Sequence, residues 1–288
     1  MRQGPASSGP DLIQQDLAMN MRSIELFAAT SAALLLTGSV ASAEPGGTFV
    51  RLSTGVEYAS GTFGGTEDID DLYVPVTASA DVGRLNFRLT VPYLSVRAPS
   101  EITEIGEDGQ PVAGSGARVT ESGLGDVIAG VTLYDVIDNR DLALVVDVTG
   151  TVKFGTADEN KGLGTGENDY SVRFDTYKFL DRAILMGSIG YKFRGEPAGV
   201  DLDDVLLGSV GGAYEVSSDT LVGVYYDYRQ SALADSDDIQ ELTGFASTRL
   251  SENWSIEIYA FAGFTDSSPD WGGGVTLSTD FRSFRHRT

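Results

Sequence analysis

Leu142-Ala143-Leu144-Val145-Val146-Asp147-Val148-Thr149-Gly150-Thr151-Val152-Lys153-Phe154 carries its charges on one parity. Leu142, Leu144, Val146, Val148, Val152 and Phe154 alternate with Asp147, Thr149, Thr151 and Lys153. Successive side chains of a strand point to opposite faces, so one face suits a medium that rejects charge and the other suits water. An earlier run repeats the pattern, with Val50, Leu52, Val56 and Tyr58 set against Arg51, Ser53, Gly55 and Glu57. Extended along the chain, the alternation predicts strands at 48–59, 71–82, 84–97, 123–134, 141–155, 168–179, 183–194, 204–216, 220–232, 239–250, 254–265 and 271–281.

The connections between these strands are alternately short and long. Short turns fall at 81–83, 135–140, 180–182, 216–219 and 251–253; long loops fall at 60–70, 98–122, 156–167, 195–203, 233–238 and 266–270. Outer-membrane barrels have an even number of antiparallel strands, short periplasmic turns and longer outer loops. The expected fold is therefore all-β, an antiparallel transmembrane up-and-down β-barrel of about twelve strands. Its outward parity sets Tyr58, Tyr93, Phe154, Tyr170, Tyr191, Phe193, Tyr228, Phe264 and Trp271 towards the long loops. Phe87, Tyr214, Trp254 and Phe281 fall towards the short turns. Two such belts match the aromatic girdles at the edges of a bilayer. A secreted sandwich or lipocalin-like barrel would share the alternation, because its core also wants one apolar face.

Residues 21–43 read as a secretory signal peptide: Arg22, an apolar core from Leu26 to Leu36, then Ala41-Ser42-Ala43 before the cleavage point. That core is shorter than the roughly 20 apolar residues a spanning helix needs. Residues 1–20 are polar and unlike a signal n-region, which points to a start at Met21. N-terminal sequencing of the exported protein is expected to find Glu44 first. Residues 44–288 are then the barrel, in the outer membrane of a Gram-negative cell, with no segment long enough for a separate plug domain.

Composition excludes several functions. The chain of 288 residues has no Cys, so it has neither disulfides nor thiolate chemistry. A net charge of -22 argues against a nucleic-acid surface. The one His, His286, lies in the C-terminal tail, which leaves no imidazole for a triad or most zinc sites. Carboxylate pairs such as Asp169 and Asp175 remain, but they share their parity with Arg and Lys, so ionised, salt-bridged acids are expected rather than a catalytic acid. Gly162-Leu163-Gly164-Thr165-Gly166 lacks the GK[ST] ending of a phosphate loop. No enzyme activity, cofactor or metal is expected.

Inward parity places Arg51, Glu57, Arg88, Asp147, Lys153, Arg173, Asp175, Lys192, Arg229, Arg249 and Glu257 in the lumen. These charges suit either a selectivity filter or salt-bridged fill. The same parity gathers Tyr225, Phe245, Tyr259 and Phe261 on neighbouring strands, a strip that suits apolar solutes or plain lumen packing. Most of the acid sits in the long loops, as in Glu67-Asp68-Ile69-Asp70-Asp71 and Asp201-Leu202-Asp203-Asp204. Without EF-hand spacing, these read first as solvated surface rather than as a cation site.

Ser122-Gly123-Leu124-Gly125-Asp126, Lys153-Phe154-Gly155-Thr156-Ala157-Asp158 and Leu163-Gly164-Thr165-Gly166 together resemble motifs of a family of Gram-negative outer-membrane transporters, the MetA-pathway (meta-pathway) phenol-degradation family. Gly155 and Ala157 stand where that family has Pro and Gly. The resemblance implies transport linked to aromatic catabolism and names no substrate. The expected function is a channel for diffusion of small solutes, among them aromatic or hydrophobic compounds. The alternative is a structural or surface-interaction barrel that acts through its acidic loops. Expected partners are outer-membrane lipid and lipopolysaccharide, a small-molecule solute, and the barrel-assembly machinery during insertion. Loop 156–167 is expected to fold inwards, since its glycines allow a sharp turn where a long strand leaves the bilayer.

Overall fold

The computed structural model describes residues 48–99, 117–197, 202–233 and 236–283. Residues 1–20, the expected signal segment 21–43, the centre of loop 98–122 and His286 lie outside the described residues. The strands are β1 (Thr48–Gly61), β2 (Ile69–Val82), β3 (Leu85–Pro99), β4 (Arg118–Leu124), β5 (Val127–Asn139), β6 (Leu144–Phe154), β7 (Asp169–Leu180), β8 (Ala183–Phe193), β9 (Val205–Ser217), β10 (Thr220–Arg229), β11 (Ile239–Arg249), β12 (Trp254–Gly263) and β13 (Trp271–Ser283). All pairings are antiparallel. β1 pairs with both β2 and β13, so the sheet closes on itself and leaves no edge.

β4 and β5 occupy one place in the wall. β3 pairs with β4 through Tyr93–Pro99 and with β5 through Leu85–Thr90. The barrel therefore has twelve strand positions, as the alternation predicts. The sequence reading of that strand, 123–134, is extended to 118–139 and interrupted at Gly125–Asp126. Pro92 on β3 faces the interruption and has no N–H to donate; its carbonyl instead accepts from Gly125 N at 3.0 Å.

Burial is inverted relative to a soluble protein. The face away from the lumen is apolar and exposed: Val210 is 63% exposed, Ile189 58% and Ile258 57%. The charged face is the buried one, with Asp126 and Glu257 each 1% exposed. A water-soluble sandwich or lipocalin-like barrel would bury the first set and expose the second. In a bilayer the same arrangement is favourable, because lipid meets the apolar side chains and the charges pair inside. The aromatic belts are where outward parity puts them. Tyr93, Phe154, Tyr170, Phe193 and Trp271 are exposed near the long loops, and Phe87, Tyr214, Trp254 and Phe281 near the short turns.

Turn chemistry closes the periplasmic end. Gly83 (φ 65°) and Asp181 (φ 57°) take left-handed conformations that Gly and Asp tolerate. β5 bulges between Leu133 and Ile137, and the Arg84 guanidinium holds the bulge by donating to the carbonyls of Tyr134 and Asp135. At the outer rim, carboxylates at the feet of the loops cap neighbouring strand ends. Asp204 accepts from Arg194 N, Asp238 from Ser231 N and Asp169 from Gly195 N, at 2.9 to 3.0 Å. Outward tyrosines tie into the same feet: Tyr58 donates to Asp70 at 2.8 Å and Tyr228 to Asp238 at 2.7 Å.

Candidate translocation site

Three features line the lumen: an inserted loop, a set of charges and an apolar strip. The loop between β6 and β7 folds into the outer mouth. Leu163, 1% exposed, packs with Ile69 and Tyr73 of β2, Leu94, Val96 and Ala98 of β3, and Ala157 of its own loop. Tyr73 and Leu94 share the inward face, since each lies in register with an inward neighbour: Glu57 opposite Tyr73, and Tyr73 opposite Leu94. These apolar residues were not singled out from the sequence. The available signal was inward parity on β3, where Leu94, Val96 and Ala98 stand in place of polar residues.

Asp126 holds this loop. Its Oδ1 accepts from Thr156 N and Ala157 N at 2.8 Å each, and its Oδ2 accepts from Lys153 Nζ at 2.6 Å. Lys153 also lies 3.5 Å from Asp169 and donates to Glu167 O at 3.3 Å. Gly164 passes against the carboxylate so closely that a Cβ there would lie 3.0 Å from Asp126 Oδ2. Gly123 leaves room for Leu163, whose Cδ1 would be 3.0 Å from a Cβ at that position. The break in the wall strand, the Gly-rich loop and the lysine at the end of β6 thus form one assembly.

The other charges are mostly buried and grouped. Arg51 makes a two-point pair with Asp280 at 2.6 and 3.0 Å and lies 5.5 Å from the centre of the Phe49 ring. Asp280 was not among the predicted residues, although its inward parity in β13 marks it. Arg173 pairs with Asp175 at 2.9 Å, and Asp175 stands directly opposite Asp147. Asp147 accepts from Asp135 N at 2.7 Å and so satisfies the bulge of β5. Arg88 is half-buried within electrostatic range of Arg173 and Asp175. Arg229 is buried near Glu241 and Asp227, and Lys192 is half-buried on β8. Arg249 stands apart at the periplasmic rim, 3.7 Å from Asp219 in the turn after β9. Glu57 accepts from the Tyr259 hydroxyl at 2.5 Å. Glu257 is buried beside them.

The aromatic residues come together. Tyr225, Phe245 and Tyr259 belong to one buried cluster with Tyr177, Ile184, Met186 and Ala213, and Phe261 packs against it. The rings of Tyr225 and Phe245 have centres 6.0 Å apart at 48°. Each of the four lies beside a glycine on a neighbouring strand: Tyr225 opposite Gly211, Phe245 opposite Gly223, Tyr259 opposite Gly274 and Phe261 opposite Gly272. A Cβ at Gly223 would lie 2.5 Å from Phe245 Cε1, and one at Gly274 would lie 2.6 Å from Tyr259 Cζ. Glycine removes the side chain that would keep these aromatic residues off the wall. The result is an apolar strip from β7 to β12, separate from the Leu163 cluster on β2 and β3.

Residues 43–281 match the family described as "Putative MetA-pathway of phenol degradation". The chain belongs to this family. The barrel is similar to the COG4313 outer membrane channel from Pseudomonas putida F1, at 11% identity and TM-score 0.64, covering 89% of this chain and all (100%) of that one. That likeness shows the shared barrel fold. Weaker likeness, with a TM-score of 0.41 and 11% identity, extends to the CymD monoaromatic hydrocarbon channel over 85% of this chain and 90% of that one. No curated protein matches the chain. The inverted burial and the two girdles make this closed barrel an outer-membrane β-barrel. Among the described residues, no three His, Cys, Asp or Glu side chains are grouped to hold a metal ion.

Proposed function

We propose that this barrel lets small apolar or aromatic solutes diffuse across the outer membrane, with Tyr225, Phe245, Tyr259 and Phe261 as the path. The apolar strip carries the reading. An apolar solute exchanges water for ring contacts along that strip. The charges around it are mostly tied into pairs, as in Arg51–Asp280 and Arg173–Asp175, and serve to hold the wall's shape.

The loop between β6 and β7 narrows the outer mouth through Leu163, and the Asp126–Lys153 pair keeps it there. Lipopolysaccharide surrounds the outer rim, where the acidic loops project, and the barrel-assembly machinery closes the β1–β13 seam during insertion. Uptake into proteoliposomes, corrected for protein-free vesicles, tests the path. The double variant Phe245→Ala/Phe261→Ala is expected to change uptake of an aromatic solute more than that of a sugar. Equal effects on both would remove the proposed path.

A further inference from the structure

Glu257 stands out among the lumen acids. It is 1% exposed, and neither carboxylate oxygen has a hydrogen-bond partner among the described residues. Register sets it opposite Thr276 on β13 and Ser247 on β11, one inward step from Tyr259 and diagonal to Phe245. A second acid, Glu57, lies beside the strip, where it accepts from the Tyr259 hydroxyl. Several other buried acids of the lumen have a base: Asp280 has Arg51, Asp126 has Lys153, Asp175 has Arg173, and Asp227 lies within electrostatic range of Arg229.

We propose that Glu257, with the rings of Tyr225, Phe245, Tyr259 and Phe261, is a subsite for the ammonium head of an aromatic amine. A carboxylate removed from water without a partner is costly, and a bound cation offsets that cost directly. An ammonium group brings several N–H donors for the two oxygens. Aromatic faces attract the same charge, and the apolar strip accepts the body of the molecule. A neutral alcohol of equal size supplies no counter-charge, and an anion meets the Glu257 carboxylate with the same sign of charge. The inference deepens the diffusion reading, on which it rests for the solute's access to the lumen.

Calorimetric titration of the full-length, detergent-folded barrel with phenethylamine and with 2-phenylethanol tests it. The wild type is expected to bind the amine about tenfold or more tightly than the alcohol. Glu257→Gln should abolish that advantage while leaving the alcohol's affinity unchanged. A preference that survives Glu257→Gln would belong to the acidic loops and would overturn the subsite, as would equal affinities in the wild type. Phe261→Leu keeps the acid and an apolar contact but removes a ring face, so it should weaken the amine more than the alcohol; equal effects on the two would count against the site. Heat-dependent gel mobility confirms that each variant is folded. Uptake of neutral aromatic solutes reports on diffusion separately: its loss with the amine preference intact would sink the path and spare the subsite.

Discussion

Lys153 donates to Asp126 at 2.6 Å beneath an inserted loop, joining the end of β6 to the interruption between β4 and β5. Both side chains are nearly dry, at 9% and 1% exposure, and the same carboxylate takes two backbone N–H groups from Thr156 and Ala157. Removing one member of a buried pair leaves an uncompensated partner and costs about 3–5 kcal/mol. Asp126→Ala is expected to lower unfolding stability by that order. Urea unfolding in lipid vesicles would measure it through the emission of Trp254 and Trp271, both of which face outward. A loss under about 1 kcal/mol would show the pair to be as weak as an exposed one.

Leu163 is the apolar anchor of the same loop. Its truncation to Ala empties a contact with Tyr73 and Leu94, worth about 2–5 kcal/mol for a buried leucine. That exceeds what a short loop can easily replace. Single-channel conductance of Leu163→Ala should therefore rise, and deletion of 162–166 should raise it further. Identical currents from the wild type and both variants would mean that the loop does not set the constriction.

Gly211 should not tolerate a side chain. A Cβ at this position would lie 2.6 Å from the Val224 carbonyl and 2.8 Å from the Tyr225 Cα, and backbone atoms do not swing aside. Gly211→Ala is expected to destabilise the barrel by about 1–3 kcal/mol, the usual cost of overpacking. Gly244, where a Cβ meets nothing within 4 Å, is the control and should accept Ala with little change.

Ile258 tests the outer face. It is 57% exposed on β12, between the inward Glu257 and Tyr259. An arginine on the lipid face costs about 2–4 kcal/mol near the bilayer midplane and little near the interfaces. Ile258→Arg should therefore fold poorly into vesicles yet disturb no lumen contact. If it folded like the wild type, this face would not be in lipid.

Much of the fold was legible because strand parity is a local property. Glu57 and Tyr58 declare opposite faces from their own positions, and the lengths of the connections declare which end is which. The charges at Arg51, Lys153, Arg173 and Asp175 could be assigned to the lumen in the same way. Their partners could not, because parity states a face and not a neighbour. Arg51 and Asp280 are 229 residues apart and meet only because the barrel closes. Asp126 reads like another lumen acid in the sequence; only the folded chain shows it gripping loop backbone.

By itself, then, the sequence determined an alternating wall, its two girdles, its short and long ends and the parity of its aromatic strip. Those features follow from the period of the extended chain and from which residues water or lipid will accept. Tertiary structure decided what no period encodes: the break at Gly125, the insertion of Leu163, the glycine beside each lumen ring and the isolation of Glu257. Each depends on the register at which distant strands meet, and register is settled by the closure of the whole barrel.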